Sequence, residues 1–259
     1  MLEGLAWLPR ILASLVLVGL AVGISSWQKV ELEKDMLLAV GRAFVQLIAI
    51  GYALDLIFAN KGLIWILLVV GIMIGIAGVT AGRRGKQVPH SKFVATVSVS
   101  VGAILTLSLL IFLSVFPFEP RFMIPIAGMV VGNAMTVTGL VMARLRDDLR
   151  LQKAQVEAAL ALGATQRQAA SQQLRRALAT GMTPIVDNTK TVGLISLPGA
   201  MTGMILAGAS PLEAVQLQII VMYMLVGAAA FSGLTAAFLT YQQFFTRAHQ
   251  LALPEETPA

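Results

Sequence analysis

A chain of 259 residues that is 57% hydrophobic and only 12% charged departs far from soluble domains, which run at roughly 45–50% apolar and about 25% charged. Its mean hydropathy of +0.82 places it among polytopic membrane proteins, and with no Cys it has no disulfide scaffold, zinc finger, Cys-ligated iron–sulfur cluster or thiol nucleophile. The net charge of +6 would suit a nucleic-acid binder only in a soluble protein; here the cations report loop orientation, no DNA-reading motif occurs, and no nucleic-acid partner is expected.

In chain order, the apolar runs predict an all-α integral membrane protein. A single domain over 1–259 carries seven transmembrane helices, at 5–26, 37–58, 62–82, 93–116, 122–143, 184–209 and 214–241. The first has Glu3 where a signal peptide would carry a basic region, and no small-residue cleavage site follows, so it reads as a retained helix. In the second, Arg42, Gln46 and Asp55 interrupt the run, and ionisable groups in a span usually face a bundle interior or a cavity. Gly71, Gly75, Gly78 and Gly82 on the third helix, Gly128 and Gly132 on the fifth, and Gly199 and Gly203 on the sixth form small-xxx-small faces for close packing. Thr183 before Pro184 predicts an N-cap opening the sixth helix, and Ser210-Pro211-Leu212-Glu213 predicts a capping box opening the seventh. Pro198-Gly199 should kink the sixth helix or break it.

Charge sets the direction. With the N-terminus outside, the cytoplasmic segments collect Lys29, Lys34, Arg83, Arg84, Lys86, Lys92, seven cations between Arg144 and Arg176, and Arg247. The outer loops keep Lys61 and Arg121, so the expectation is N-out/C-in, with Ser26 and Gln87 inside and Asn60 and Ser210 outside. One connection is long, the forty cytoplasmic residues 144–183 between the fifth and sixth helices. Over 147–162, Leu149, Val156, Ala159 and Leu160 recur at helical spacing, and Gly163-Ala164 should end that helix. Thr165 to Gln168 reads as a capping box opening a second helix over 166–180, which Gly181 closes. The predicted result is a helix-turn-helix projection on the cytoplasmic side, although its basic composition also suits an anchor on anionic lipid headgroups.

At Glu157-Ala158-Ala159, followed after three residues by Gly163-Ala164, the loop resembles the EAA motif of ABC-transporter permeases, whose coupling helix docks in a groove of the ATPase subunit. Where that motif ends in isoleucine-x-leucine-proline, this chain has Gln173, Leu174, Arg175 and Arg176. The flanking segments are more specific: Gly41-Arg42-Ala43 with Gln46-Leu47-Ile48, and Ile124-Pro125-Ile126-Ala127-Gly128-Met129 with Gly132-Asn133-Ala134-Met135. Leu162-Gly163-Ala164-Thr165 joins them, as does Asp187 with Lys190-Thr191-Val192-Gly193-Leu194 and Ser196-Leu197-Pro198-Gly199. Together they resemble the FetB-type permeases, bacterial iron-export ABC permeases related to plant aluminium-tolerance permeases, over about residues 34–249. The resemblance implies a multi-pass permease of the inner (plasma) membrane, surrounded by lipid and working as a homodimer with a cytoplasmic ABC ATPase subunit. Iron is the first expected cargo, with a nucleotide sugar or an aluminium-linked solute as alternatives. The expected ATPase-coupling residues are Glu157, Ala158, Ala159, Gly163, Ala164, Thr165 and Arg167.

A nucleotide-hydrolysing chain needs a glycine-rich phosphate cradle followed by Lys and Ser or Thr. Gly82-Arg83-Arg84-Gly85-Lys86 has the wrong spacing, and Gln87 stands where the magnesium-binding hydroxyl belongs. No cofactor is therefore expected on this chain, and the resemblance implies ATP and Mg on the partner subunit. His90 and His249 sit at cytoplasmic ends and no His-x-x-x-His or Ser-His-Asp pattern appears, so the chain is not read as an enzyme. A proton-driven carrier is the rival because Asp187 lies in a span, but a carrier has no need of a docking loop. The expected pathway or gate residues are Arg42, Gln46, Met129, Asn133, Met135, Asp187, Asn188, Lys190 and Pro198. Asp187 and Lys190 stand one turn apart with Arg42 at similar depth, which suggests an inner latch sharing Asp187 between the two cations, or a static ion pair. Metal ligands stay open. Met123, Met129, Met135, Met142, Met201 and Met204 offer soft thioethers that read first as packing, while Asp55, Glu119, Glu213, Asp187 and Asn188 offer oxygen.

Overall fold

A computed structural model describes residues 8–59, 62–246 and 248–253. Glu3, the start of the first predicted span, the expected outer-loop residues Asn60 and Lys61, and Arg247 lie outside the described residues. The helices are α1 (Leu8–Trp27), α2 (Glu33–Ala59), α3 (Leu63–Arg84), α4 (Ser91–Phe112), α5 (Pro120–Leu151), α6 (Lys153–Ala161), α7 (Gln166–Ala169), α8 (Ser171–Thr191), α9 (Gly199–Leu206) and α10 (Pro211–Gln243). Five of these are long and apolar enough to cross a membrane among the described residues, namely α2, α3, α4, α5 and α10. The protein is an all-helical, multi-pass membrane protein.

Two compact units divide the chain, Met1–Lys61 and Gly62–Ala259. In the first, α1 packs on α2, and the turn between them is closed by Ser25, whose hydroxyl donates to Glu33 Oε1 at 3.0 Å. Leu37, Leu38, Phe44, Val45 and Leu47 of α2 are exposed, a state that hydrocarbon tolerates and water does not.

In the second unit, α3 packs on α4 and α5, α10 packs on α4 and α5, and α8 packs on α5 and α10. Small residues fill these contacts, with Val99, Ala103, Ala127, Ala134 and Ala228 in one buried cluster and Val137, Val141, Ala177, Ala229 and Ala237 in the other. Lipid provides no hydrophobic drive between helices, so close backbone approach must supply the attraction. The predicted glycine faces are used only in part. A Cβ at Gly78 would stand 2.6 Å from Thr96 Cα and one at Gly82 would stand 2.7 Å from Lys92 Cα, whereas Gly71, Gly75, Gly132, Gly199 and Gly203 have nothing within 4 Å. Polar hydroxyls in the spans turn back on their own helix, as when Ser98 donates to the Val94 carbonyl at 2.7 Å and Ser232 to the Ala228 carbonyl at 2.7 Å.

Three predicted boundaries need correction. α5 does not stop at 143 but runs on to Leu151, so the expected helix over 147–162 is split at Gln152, and only Lys153–Ala161 forms the separate α6. Leu149 and Val156 are still both buried, because the break keeps the apolar face on the core. The expected helix over 166–180 is likewise divided into α7 and α8. Finally, α8 continues through Gly181, Thr183 and Pro184 to Thr191, so neither the stop nor the N-cap forms there. Gly181 is instead a contact point, where an added Cβ would collide with Val141 Cγ2. The Thr183 hydroxyl donates backward to the Ala179 carbonyl at 2.7 Å, and packing of Ala177 and Ile185 into the core holds the helix across the proline.

The predicted span 184–209 is broken rather than kinked. After Thr191 the chain turns through Gly193 at φ +82, with the Gly193 N–H donating to the Ser196 carbonyl at 2.9 Å. Helix resumes only at Gly199, with Pro198 as the N-cap residue of α9. The capping box at Ser210 forms as predicted and opens α10: the Glu213 N–H donates to Ser210 Oγ at 3.3 Å, and the Ser210 N–H donates to Glu213 Oε2 at 3.2 Å.

Candidate functional site

Segment 144–183 is built into the second unit. Arg144 forks onto the Asp148 carboxylate, with Nε to Oδ2 and Nη2 to Oδ1 both at 3.1 Å. Arg146 Nη1 donates to the Lys86 carbonyl at 2.6 Å and Arg150 Nη1 to Gln87 Oε1 at 2.8 Å, tying the end of α5 to the turn between α3 and α4. Gln173 is buried and donates from Nε2 to Gln152 Oε1 at 2.8 Å, while Gln166 Nε2 donates to the Thr246 carbonyl at 2.9 Å.

The tip projects from this base. The Ala164 N–H donates to the Ala159 carbonyl and the Gly163 N–H to the Leu160 carbonyl, both at 3.0 Å, a double closure that needs the left-handed backbone seen at Gly163, φ +89. Thr165 then caps α7 reciprocally with Gln168, its N–H donating to Gln168 Oε1 at 2.9 Å and its hydroxyl accepting from the Gln168 N–H at 3.3 Å. Two capped helix ends back to back make a rigid elbow. Glu157, Ala158, Gly163 and Thr165 are exposed on it, Ala159 and Ala164 are half-buried, and Leu162 is 89% exposed. Glu157 pairs with Lys153 one turn earlier at 3.7 Å. Arg167 lies with its guanidinium carbon 5.0 Å over the Phe238 ring of α10, a cation–π contact that anchors the elbow. Gln173 and Leu174, which stand in the departing end of the motif, face the core, whereas Arg175 and Arg176 are exposed.

A second candidate lies beside the break between α8 and α9. Two clefts of about 330 and 360 Å³ share Val192, Gln218 and Met222. The first also touches Thr189 and Met201, and the second brings together three expected pathway residues, Met129, Asn188 and Pro198. Discontinuous helices put irregular backbone against a cavity in this way in many transporters.

Other expected residues stand elsewhere. Asp187 and Lys190 pair on the exposed face of α8, Oδ1 to Nζ at 3.3 Å, and line neither cleft. Asn133, expected in a cavity, donates from Nδ2 to the Leu225 carbonyl at 2.8 Å and so ties α5 to α10. Met135 packs against both core clusters, and Met123 and Met142 are buried within them. Arg42 and Gln46 are exposed on α2 in the first unit, one turn apart, with Gln46 beside Ala43, Leu47 and Ile50 in a shallow groove. Glu213 is engaged in its capping box. No group of three or more His, Asp or Glu side chains able to hold a metal occurs among the described residues. Gln218 escaped the sequence reading. Its signal was weak, one of two amides, Gln216 and Gln218, near the start of an apolar helix, with Met222 one turn further on.

The Asn133 contact gives a modest expectation. Asn133→Leu should lower the thermal stability of detergent-solubilised protein by about 1 kcal/mol, the usual range for one interhelical hydrogen bond in a membrane. A loss beyond about 3 kcal/mol would mean that the amide does more than link two helices.

A family model described as an uncharacterised protein family, UPF0014, matches residues 8–245. The chain belongs to UPF0014. It is 56% identical to Protein ALUMINUM SENSITIVE 3 of Arabidopsis thaliana over 92% of this chain and 88% of that one. UPF0014 membrane protein STAR2 of rice, Oryza sativa subsp. japonica, is 52% identical over 96% of this chain and 87% of its own. The "Probable iron export permease protein FetB" of Escherichia coli K12 is 40% identical over 93% of both chains. No solved structure gives a significant match. Both the elbow and the clefts of this UPF0014 chain lie inside the matched residues.

Proposed function

We propose that the chain is the membrane-spanning permease subunit of an ABC exporter for iron, driven by ATP hydrolysis in a separate cytoplasmic ATPase. Full-length similarity to the Escherichia coli protein named as an iron export permease carries the cargo. The ATPase reading is supported by the coupling-motif residues, which crowd onto one rigid, exposed elbow. α1 and the broken α8–α9 pair join the five long helices as seven crossings of the plasma membrane. N-out/C-in orientation rests on the cation distribution, and two copies of the chain would enclose the pathway.

Co-production of the chain with its ATPase is expected to lower total cell iron, read by elemental analysis, and a catalytically dead ATPase should cancel the effect. Unchanged iron would remove the cargo assignment. Aluminium measured in the same samples tests the cargo suggested by the name of the Arabidopsis relative. Orientation is checked with single cysteines, since the native chain has none. Cysteines at Ser26 and Gln87 should resist an impermeant thiol reagent in intact cells, and those at Asn60 and Ser210 should react. Labelling at 87 from outside would reverse the topology.

A further inference from the structure

Gln218 lies about two turns into α10, is 6% exposed, and its carboxamide oxygen has no hydrogen-bond partner. An unpaired buried acceptor is costly and in native proteins is usually answered by a ligand, an ion or a water. Gln218 lines both clefts beside the helix break, and Met222, one turn along the same face, lines both as well. Met129 from α5 borders one cleft and Met201 from α9 the other. No charged side chain lines either cleft. The donors are thus neutral oxygens, that of Gln218 together with those of Thr189, Tyr223, Asn188 and Ser196, and several thioether sulfurs. Thioether sulfur favours transition-metal cations over magnesium and calcium, which prefer all-oxygen shells. The lack of a carboxylate keeps binding weak enough for the ion to leave again, as conduction requires.

We propose that these clefts are the transit site for the cargo, a divalent transition-metal cation held by the Gln218 carboxamide oxygen with the sulfur of Met222, joined by Met129 in one cleft and by Met201 in the other. The site rests on the reading of the chain as a metal permease. It is tested on the purified full-length chain without the ATPase, titrated anaerobically with ferrous iron by calorimetry in a large excess of magnesium. A saturable ferrous site is expected. Gln218→Leu should weaken it by about tenfold or more, the scale on which lost metal-site contacts act, Gln218→Glu should tighten it, and Met222→Leu should narrow the preference for iron over magnesium. Gln218→Leu should melt no lower than wild type, because it removes an unpaired polar atom; if it fails to fold, the glutamate variant still decides. No ferrous binding by the wild type, or equal binding by both Gln218 variants, overturns the site. If cells export iron while the Gln218 variants bind as wild type does, the site alone fails. If the purified chain binds iron as expected while cells lose none, the exporter reading fails instead.

Discussion

Gly78→Leu is expected to lower the stability and yield of folded protein sharply, by about 3 kcal/mol or more, while Gly71→Leu, two turns earlier on the same helix, is tolerated. A Cβ at Gly78 would meet Thr96 Cα at 2.6 Å and Thr96 Cβ at 2.8 Å, and the next turn is as tight, Gly82 against Lys92 Cα at 2.7 Å. Thr96 Cα is backbone of α4 and cannot rotate aside, so α3 and α4 must separate along their whole contact. Overpacking of a well-filled core costs about 1–3 kcal/mol and occasionally more. With fixed backbone as the obstacle, about 3 kcal/mol or more is the reasonable expectation, a large share of a total stability of roughly 5–15 kcal/mol. Around Gly71 nothing lies within 4 Å, so a leucine there only adds apolar surface facing hydrocarbon. The yield of monodisperse protein in detergent and the melting midpoint measure the difference. Equal behaviour of the two variants would show that the α3–α4 seam is not the tight contact described.

Gly163→Val is expected to leave the permease folded but to separate ATP hydrolysis from transport. The closure of α6 holds residue 163 at φ +89, a conformation that costs a β-branched residue about 1–3 kcal/mol of strain. A side chain there would touch nothing within 4 Å, so the strain is released by reshaping the exposed elbow rather than by disturbing the core. The anchored base persists through the Gln173–Gln152, Gln166–Thr246 and Arg167–Phe238 contacts, so the protein should accumulate and still be recognised at membrane level. Export with the ATPase partner should fall about tenfold or more, within the usual range of coupling energies. Gly163→Asn, which tolerates the left-handed region, should retain more export than the valine variant. Wild-type export and normal ATPase association in Gly163→Val would mean that the elbow is not the docking element.

Where the physics is local, the sequence was sufficient. Membrane class follows from composition alone, because hydrocarbon is the only solvent in which so many exposed Leu, Ile and Val side chains are stable. The capping boxes at Thr165 and Ser210 and the left-handed stop at Gly163 each depend on atoms within about five residues of one another, so their chemistry is written in consecutive letters. Pro198-Gly199 announced an interruption for the same reason. Tertiary structure decided the rest. Thr183-Pro184 carries a local start signal, yet α8 passes through it because Ala177 and Ile185 are held on the core from both sides. Among the glycines of α3, identical in sequence terms, Gly78 and Gly82 are pressed against α4 and Gly71 and Gly75 are not. Asn133 was legible as a polar pathway candidate within a span, but its partner, the Leu225 carbonyl, is 92 residues away. Gln218 acquires meaning only when α5, α8 and α9 close around it. Backbone capping is settled within one helical turn, whereas the fate of a buried amide or a glycine face depends on which distant helix arrives, and helix packing alone determines that.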